Sequence, residues 1–188
     1  MTNIFKDIVI SPLNKNQFAI NENQIVDSSH TKMRKYVLKT PVVTVPFGTE
    51  IYKNKHIINI ELSAYKTDII MKKFAELLHD IDIFFGNLKE LHLGDDVVSL
   101  KNKEYYPCIK MRPNSFDPLV RVHIKERKNI TLTEIAKNDV LKDLTSAPAT
   151  LADIKRYSKM VIYIEIASIW VHKTTYGVYL DAKKIFIS

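Results

Sequence analysis

The run Pro118-Leu119-Val120-Arg121-Val122-His123-Ile124-Lys125 alternates apolar and cationic residues. Successive side chains of a strand point to opposite faces. Val120, Val122 and Ile124 therefore share one face, with Arg121, His123 and Lys125 on the other and Leu119 at the strand's start. One face suits a core, while the other offers hydrogen-bond donors and positive charge. Downstream, Val161 to Val171 and Tyr176 to Ile187 read as two long strands joined by the turn His172-Lys173-Thr174-Thr175.

Upstream, the region 31–51 is rich in Val, Thr and Tyr and reads as strand. Pro41 interrupts it, and Pro46 with Gly48 marks a turn. His56 to Ala64 forms the next strand after the turn-like Lys53-Asn54-Lys55. Thr67 is expected as an N-cap, with Asp68 in the first helical turn. Ile70, Phe74, Leu77, Leu78, Ile81 and Phe85 then recur at helical spacing as a core-facing stripe, and Gly86-Asn87 stops the helix. Lys103 to Arg112 and Ile130 to Ile135 read as further strands. Residues 136–148 read as a polar loop, and Thr150-x-x-Asp153 as the capping box of a short helix through Tyr157. Residues 1–30 are polar and Asn-rich and read as an N-terminal arm or short packed elements, leaving 31–188 as a single domain. The fold class is β-rich α+β with one long and one short packed helix.

A chain of 188 residues, 46% of them hydrophobic, can bury a real core. No apolar run is long enough to span a membrane, and residues 1–30 lack the apolar centre of a secretory signal. An intracellular protein with no membrane partner is expected. The single cysteine, Cys108, excludes an intramolecular disulfide and reads as a small buried apolar residue. The net charge of +7 and the pI of about 9.3 favour anionic partners.

The densest basic-aromatic cluster holds Lys101, Lys103, Lys110, Arg112, Arg121, Lys125, Arg127 and Lys128 among Tyr105, Tyr106 and Phe116. Bases stack on aromatic rings while Lys and Arg follow phosphates, so this composition suits single-stranded nucleic acid as well as a solvated sheet face. Lys32, Arg34 and Tyr36 alternate onto one face of the first strand region. Trp170 has two readings. Strict alternation buries it with Ile162, Ile164 and Ile166, whereas a bulge near Ala167-Ser168 buries Ile169 and Val171 and exposes Trp170. The carboxylates Asp80, Asp82, Asp95, Asp96, Asp139 and Asp143 fall at helix ends or in loops. Asp95-Asp96 reads as a turn before it reads as a metal site. The histidines form no ligand-spaced pair, there is no nucleophile elbow, and 4 Gly leave little room for a nucleotide cradle. No enzyme and no metal or organic cofactor is implied.

The segment Phe116 to Ile187 resembles the core of single-stranded DNA-binding proteins of large nucleocytoplasmic DNA viruses, the asfarvirus type most closely. The resemblance rests on Pro-Leu-Val-Arg-Val-His-Ile-Lys, on Ile130-Thr131-Leu132 before a variable insert, and on Ile169-Trp170-Val171, a turn and Tyr176-Gly177-Val178. It implies an OB-like β-barrel that coats single-stranded DNA during replication, with host cytoplasm or nucleus as the setting. Many such proteins carry an acidic tail that recruits partners, whereas these residues end Lys183-Lys184-Ile185-Phe186-Ile187-Ser188. The implied partners are single-stranded DNA, replication proteins and further copies of the chain along the strand. Expected phosphate contacts are Arg112, Arg121, Lys125 and Arg127, with Lys32 and Arg34 beside them and His123 as a hydrogen-bonding neighbour. Expected stacking platforms are Tyr105, Tyr106, Phe116 and Trp170. The competing readings are a basic face that meets an acidic protein partner, an RNA-binding module, and a metal-dependent nuclease built on Asp95 and Asp96.

Overall fold

The protein is described here by a computed structural model covering residues 18–21, 24–27, 37–87, 100, 102–114, 116–128, 130–137 and 147–188. The first half holds β1 (Phe18–Asn21), β2 (Gln24–Asp27), β3 (Val37–Lys39), β4 (Val43–Val45), β5 (Thr49–Tyr52), β6 (Lys55–Glu61) and the helix α1 (Ile69–Gly86). Short strands follow: β7 (Glu104–Tyr105), β8 (Ile109–Lys110), β9 (Leu119–Ile124), β10 (Glu126–Arg127), β11 (Ile130–Thr131), β12 (Glu134–Lys137) and β13 (Ala147–Pro148). The long β14 (Ser158–Val171) and β15 (Thr175–Ile187) close the chain.

The sheet returns on itself. β14 pairs β4, β4 pairs β6, β6 pairs β9, β9 pairs β15, and β15 pairs β14. Only β9–β15 is parallel in this ring. The result is a closed OB-like barrel, which removes the exposed edges that an open sheet of this size would carry. The alternation in β9 places its residues as expected. Val120, Val122 and Ile124 are buried with Ile58, Ile60, Ile162, Ile164, Leu180 and Ile185, while Arg121 and His123 lie on the outer face. Each fully buried aliphatic side chain contributes about 1.5–3 kcal/mol relative to exposure, so this interior is the main stabilising term.

α1 forms where its apolar stripe predicts, but it starts one residue later than expected. Asp68 is the N-cap, and its Oδ1 accepts from Ile70 N at 2.9 Å and Met71 N at 2.7 Å. Phe74, Leu77, Leu78, Ile81 and Phe85 are buried. The helix packs against β7, β8 and the start of β15. Buried Tyr176 ties its C-terminal end to the barrel, donating from its hydroxyl to the carbonyls of Phe85 at 2.9 Å and Gly86 at 3.0 Å. The short helix is a single 3-10 turn, Leu151–Asp153, rather than a helix through Tyr157. Tyr157 has φ 62°, a left-handed conformation that no helix continues through. The Asp153 carboxylate accepts from Thr150 N at 2.9 Å, as the capping pattern requires.

Two expected strands are broken. Lys103 to Arg112 divides into β7 and β8 around Pro107-Cys108, and Ile130 to Ile135 divides between β11 and β12. The N-terminal arm lies partly outside the described residues. Its described part, the β1–β2 hairpin, meets β14 at the Gln24–Ser168 pair.

Candidate nucleic-acid interface

A groove of about 510 Å³ runs over the outer face of the barrel. Arg121 and His123 of β9 and Tyr179 of β15 lie along it. The tip of the β5–β6 hairpin, with Tyr52, Lys53 and Lys55, forms one wall, and Tyr106, Pro107, Cys108 and Lys110 form the other. Trp170, His172 and Thr175 close one end. Among the described residues the lining therefore combines four Lys or Arg residues, two histidines and four Tyr or Trp rings, with no Asp or Glu.

The hairpin wall is fixed by its turn. Lys53 (φ 49°) and Asn54 (φ 61°) are both left-handed, as a two-residue hairpin loop demands. Tyr52 is thereby set over β9, with the Arg121 guanidinium 4.1 Å from its ring centroid. The opposite wall is held by a carboxylate on α1. Asp82, itself buried, accepts from the Tyr105 hydroxyl at 2.7 Å, from Cys108 N at 2.8 Å and from Ile109 N at 3.4 Å. Tyr106 N also donates to the Tyr176 carbonyl at 2.8 Å, which locks the segment beside β15. Tyr105 turns inward onto Tyr176, with centroids 5.3 Å apart. Its neighbour Tyr106 consequently faces the groove, 48% exposed. Burial first, then the Cys108 and Asp82 charges, raises the Tyr105 phenol above its ordinary pKa. Burial and then Asp82 likewise raise the Cys108 thiol, so this cysteine is an inert core residue.

Cations and rings alternate across the groove. Lys55 lies 5.5 Å from the Tyr179 centroid, and Lys110 lies 5.6 Å from that of Tyr106. His123 meets Tyr179 edge-on at 5.0 Å. Trp170 stands 6.1 Å from Tyr106 and 5.3 Å from His172. The described lining is net positive, and Asp181, cross-strand from His123, offsets Lys55 only in part. Burial, followed by Lys55, Arg121 and Lys110, holds His123 down at about 4, so its ring is neutral at physiological pH. Burial and then Arg121 lower the Lys110 pKa as well. Arg121 Nε and His123 Nδ1 are buried and have no hydrogen-bond partner among the described residues. An anion entering here offsets the cation–cation repulsion that adds to burial in these shifts.

Trp170 follows the bulged reading. The β14–β15 register passes from Ile166–Leu180 to Ser168–Tyr179, leaving Ala167 without a cross-strand partner. The extra residue reverses the alternation, so Ile169 is buried and Trp170 reaches the groove.

The groove gathers Arg121, His123, Tyr106 and Trp170 from the residues expected of the site. It does not gather the others. Arg112 pairs with Glu61, and its Nε donates to the Asp117 carbonyl at 2.6 Å. That arrangement commits the guanidinium to a corner outside the groove. Phe116, 60% exposed, stays with it, 5.2 Å from the same guanidinium. Tyr105 belongs to the Asp82 anchor. Lys125 follows His123 on the outer face of β9, but its Nζ lies 3.9 Å from Glu165. Arg127 sits exposed in the separate β10–β11 ribbon. Lys103, from the same sequence cluster, braces the β14–β15 turn by donating to the His172 and Lys173 carbonyls at 2.7 and 2.8 Å. Lys32, Arg34, Lys101, Asp95 and Asp96 lie outside the described residues. Sequence reasoning passed over Tyr52, Lys53, Lys55, His172 and Tyr179 as site residues. The Lys53-Asn54-Lys55 turn was the available signal for the hairpin. Among the described residues no group of His, Cys, Asp or Glu is arranged to hold a metal ion.

No protein-family model matches the sequence, and no curated protein matches it significantly. Solved structures do match. The chain is similar to gp2.5, a single-stranded DNA-binding protein encoded by bacteriophage T7, with a TM-score of 0.50 and 9% identity over 82% of this chain and 86% of that one. It is also similar to the single-stranded DNA-binding protein of bacteriophage Enc34, with a TM-score of 0.48 and 12% identity over 90% of this chain and 88% of the other. That phage protein in complex with single-stranded DNA matches with a TM-score of 0.46 and 11% identity. At these identities the T7 likeness shows a shared barrel fold. The T7 protein is a phage protein, so the likeness is one of fold and does not extend to the asfarvirus type.

Proposed function

We propose that this protein binds single-stranded DNA, with little sequence preference, in the groove over β9 and β15. The observation that carries the reading is the composition of that groove: cations alternating with aromatic rings and no carboxylate among its described lining residues. Phosphates would run along Lys53, Lys55, Lys110 and Arg121, while bases stack on Tyr52, Tyr106, Trp170 and Tyr179. Neutral His123 contributes a hydrogen-bonding group rather than a charge. Lys125 and Arg127 extend the positive field beyond the groove as secondary contacts. Stacking accepts any base because every base has a π-face, which accounts for low sequence preference. The T7 protein that shares the barrel is itself named as a single-stranded DNA-binding protein, which supports the assignment. The role is binding, not catalysis. Its setting would be viral DNA replication, with replication proteins and further copies of the chain as partners. The asfarvirus kinship rests on the sequence pattern of residues 116–187 alone.

The test is fluorescence anisotropy with labelled oligo-dT across several salt concentrations, against matched duplex and oligo-U. Preference for the single strand that weakens steeply with salt is expected. Equal affinity for duplex would reduce the groove to a generic basic surface. Absence of binding at low salt would sink the reading in favour of an acidic protein partner. Preference for oligo-U would move the assignment to RNA.

A further inference from the structure

Gly177 sits directly across the β14–β15 ladder from Trp170. A Cβ built on Gly177 would lie 2.5 Å from Trp170 Cζ2, 2.8 Å from Cε2 and 3.0 Å from Nε1. The indole therefore occupies the space that a side chain on Gly177 would take. Gly177 has no left-handed φ, unlike Gly48 at φ +72°. Its strand conformation is open to any residue, so what requires glycine here is the ring and not the backbone. Glycine inside a strand weakens it and commonly marks a close approach of another group.

We infer that Gly177 is a positioning residue for nucleic-acid binding: its missing side chain is the seat that lays Trp170 down as a stacking platform at the end of the groove. This rests on the function proposed above and names a determinant of it. With the indole seated, Tyr106 and His172 flank it, and the groove beside Thr175 stays open. With a methyl group on residue 177, the ring must rotate off the sheet. It then tilts toward Tyr106 or stands up into the groove, and in either case its face is lost to a base. Val178 and Tyr176, on either side, are buried in the barrel, so the strand itself has no room to yield.

The experiment uses Gly177→Ala, Trp170→Ala and the double variant, each titrated with oligo-dT by anisotropy and each melted thermally. Trp170→Ala is expected to weaken binding roughly five- to hundredfold, the span of a single stacking platform. Gly177→Ala should weaken it by at least about fivefold when Trp170 is present. In the Trp170→Ala background it should have no further effect on binding and should not lower the melting temperature. An equal loss from Gly177→Ala in both backgrounds, or none in either, overturns the inference. A separate readout covers the case in which wild-type protein fails to bind oligo-dT at all. The chain has a single tryptophan, so acrylamide quenching reports Trp170 alone. Gly177→Ala should raise its accessibility, and an unchanged quenching constant overturns the seat whatever the groove binds.

Discussion

Arg112 and Arg121 each lie over an aromatic ring, at 5.2 Å from Phe116 and 4.1 Å from Tyr52, yet the two corners of the molecule differ in what else is present. Arg112 has Glu61 and the Asp117 carbonyl, so its charge is met within the protein. Arg121 shares a groove with Lys53, Lys55 and Lys110, and among the described residues no carboxylate lines that groove and its Nε has no partner. The cation–ring pair is the same chemistry in both places. The position of the carboxylates separates a structural arginine from one that awaits an anion.

The sharpest way to break this contrast is to move a carboxylate. Arg121→Glu removes a phosphate contact and places a negative charge in the groove. A charge-assisted hydrogen bond alone is worth about 1.5–3 kcal/mol, so oligo-dT affinity should fall by roughly a hundredfold. The slope of log affinity against log salt should also become shallower by about one. Arg112→Ala should leave affinity within about twofold while lowering unfolding free energy by roughly 1–3 kcal/mol, because half-buried Glu61 loses its partner. Comparable affinity losses in the two variants would erase the distinction.

Asp82 sharpens the same point from the other side, as a carboxylate that builds the groove without entering it. Asp82→Asn replaces an acceptor oxygen with a donor amide facing the Tyr105 hydroxyl and the Cys108 and Ile109 amides. Leaving such buried donors unmet should cost about 2–3 kcal/mol in a urea unfolding titration. Oligo-dT binding should weaken at the same time, since the wall carrying Tyr106 and Lys110 loses its anchor. Wild-type stability in Asp82→Asn would mean that the loop is held by other contacts.

The barrel was legible because its signals are local. Alternation in β9, the stripe on α1 and the paired long strands each follow from residues near one another in sequence. The groove was legible only in part, because its geometry depends on long-range partners. That Arg112 meets Glu61 and that Tyr105 meets Asp82 are facts about elements far apart in the chain. Alternation says that one of Tyr105 and Tyr106 faces inward, but Asp82 and Tyr176 decide which. Trp170 turned on a single bulged residue, Ala167, which leaves no mark in composition. Tyr52 and Tyr179 read as ordinary strand residues until the hairpin folds over β9.

The effect with the least reach into binding is a pH dependence of stability carried by His123. Its folded pKa of about 4 lies below the ordinary 6.5, with burial as the main cause and Lys55, Arg121 and Lys110 adding to it. Between these two values the unfolded chain binds a proton that the folded chain refuses. Stability contributed by this group is therefore complete above pH 6.5 and declines as pH falls toward 4. Asp181, the cross-strand partner of His123, is raised by burial and works in the opposite sense just above the ordinary carboxylate pKa. The two contributions are separated by measuring urea midpoints between pH 4.5 and 7 for wild type and His123→Gln. The variant should show the shallower rise, with the difference vanishing above pH 6.5. Oligo-dT affinity should be flat between pH 7 and 8, because the imidazole is already neutral there. A curve for His123→Gln that superimposes on wild type would mean that the folded and unfolded chains bind the His123 proton alike, and the cationic groove would then be less crowded than its geometry implies.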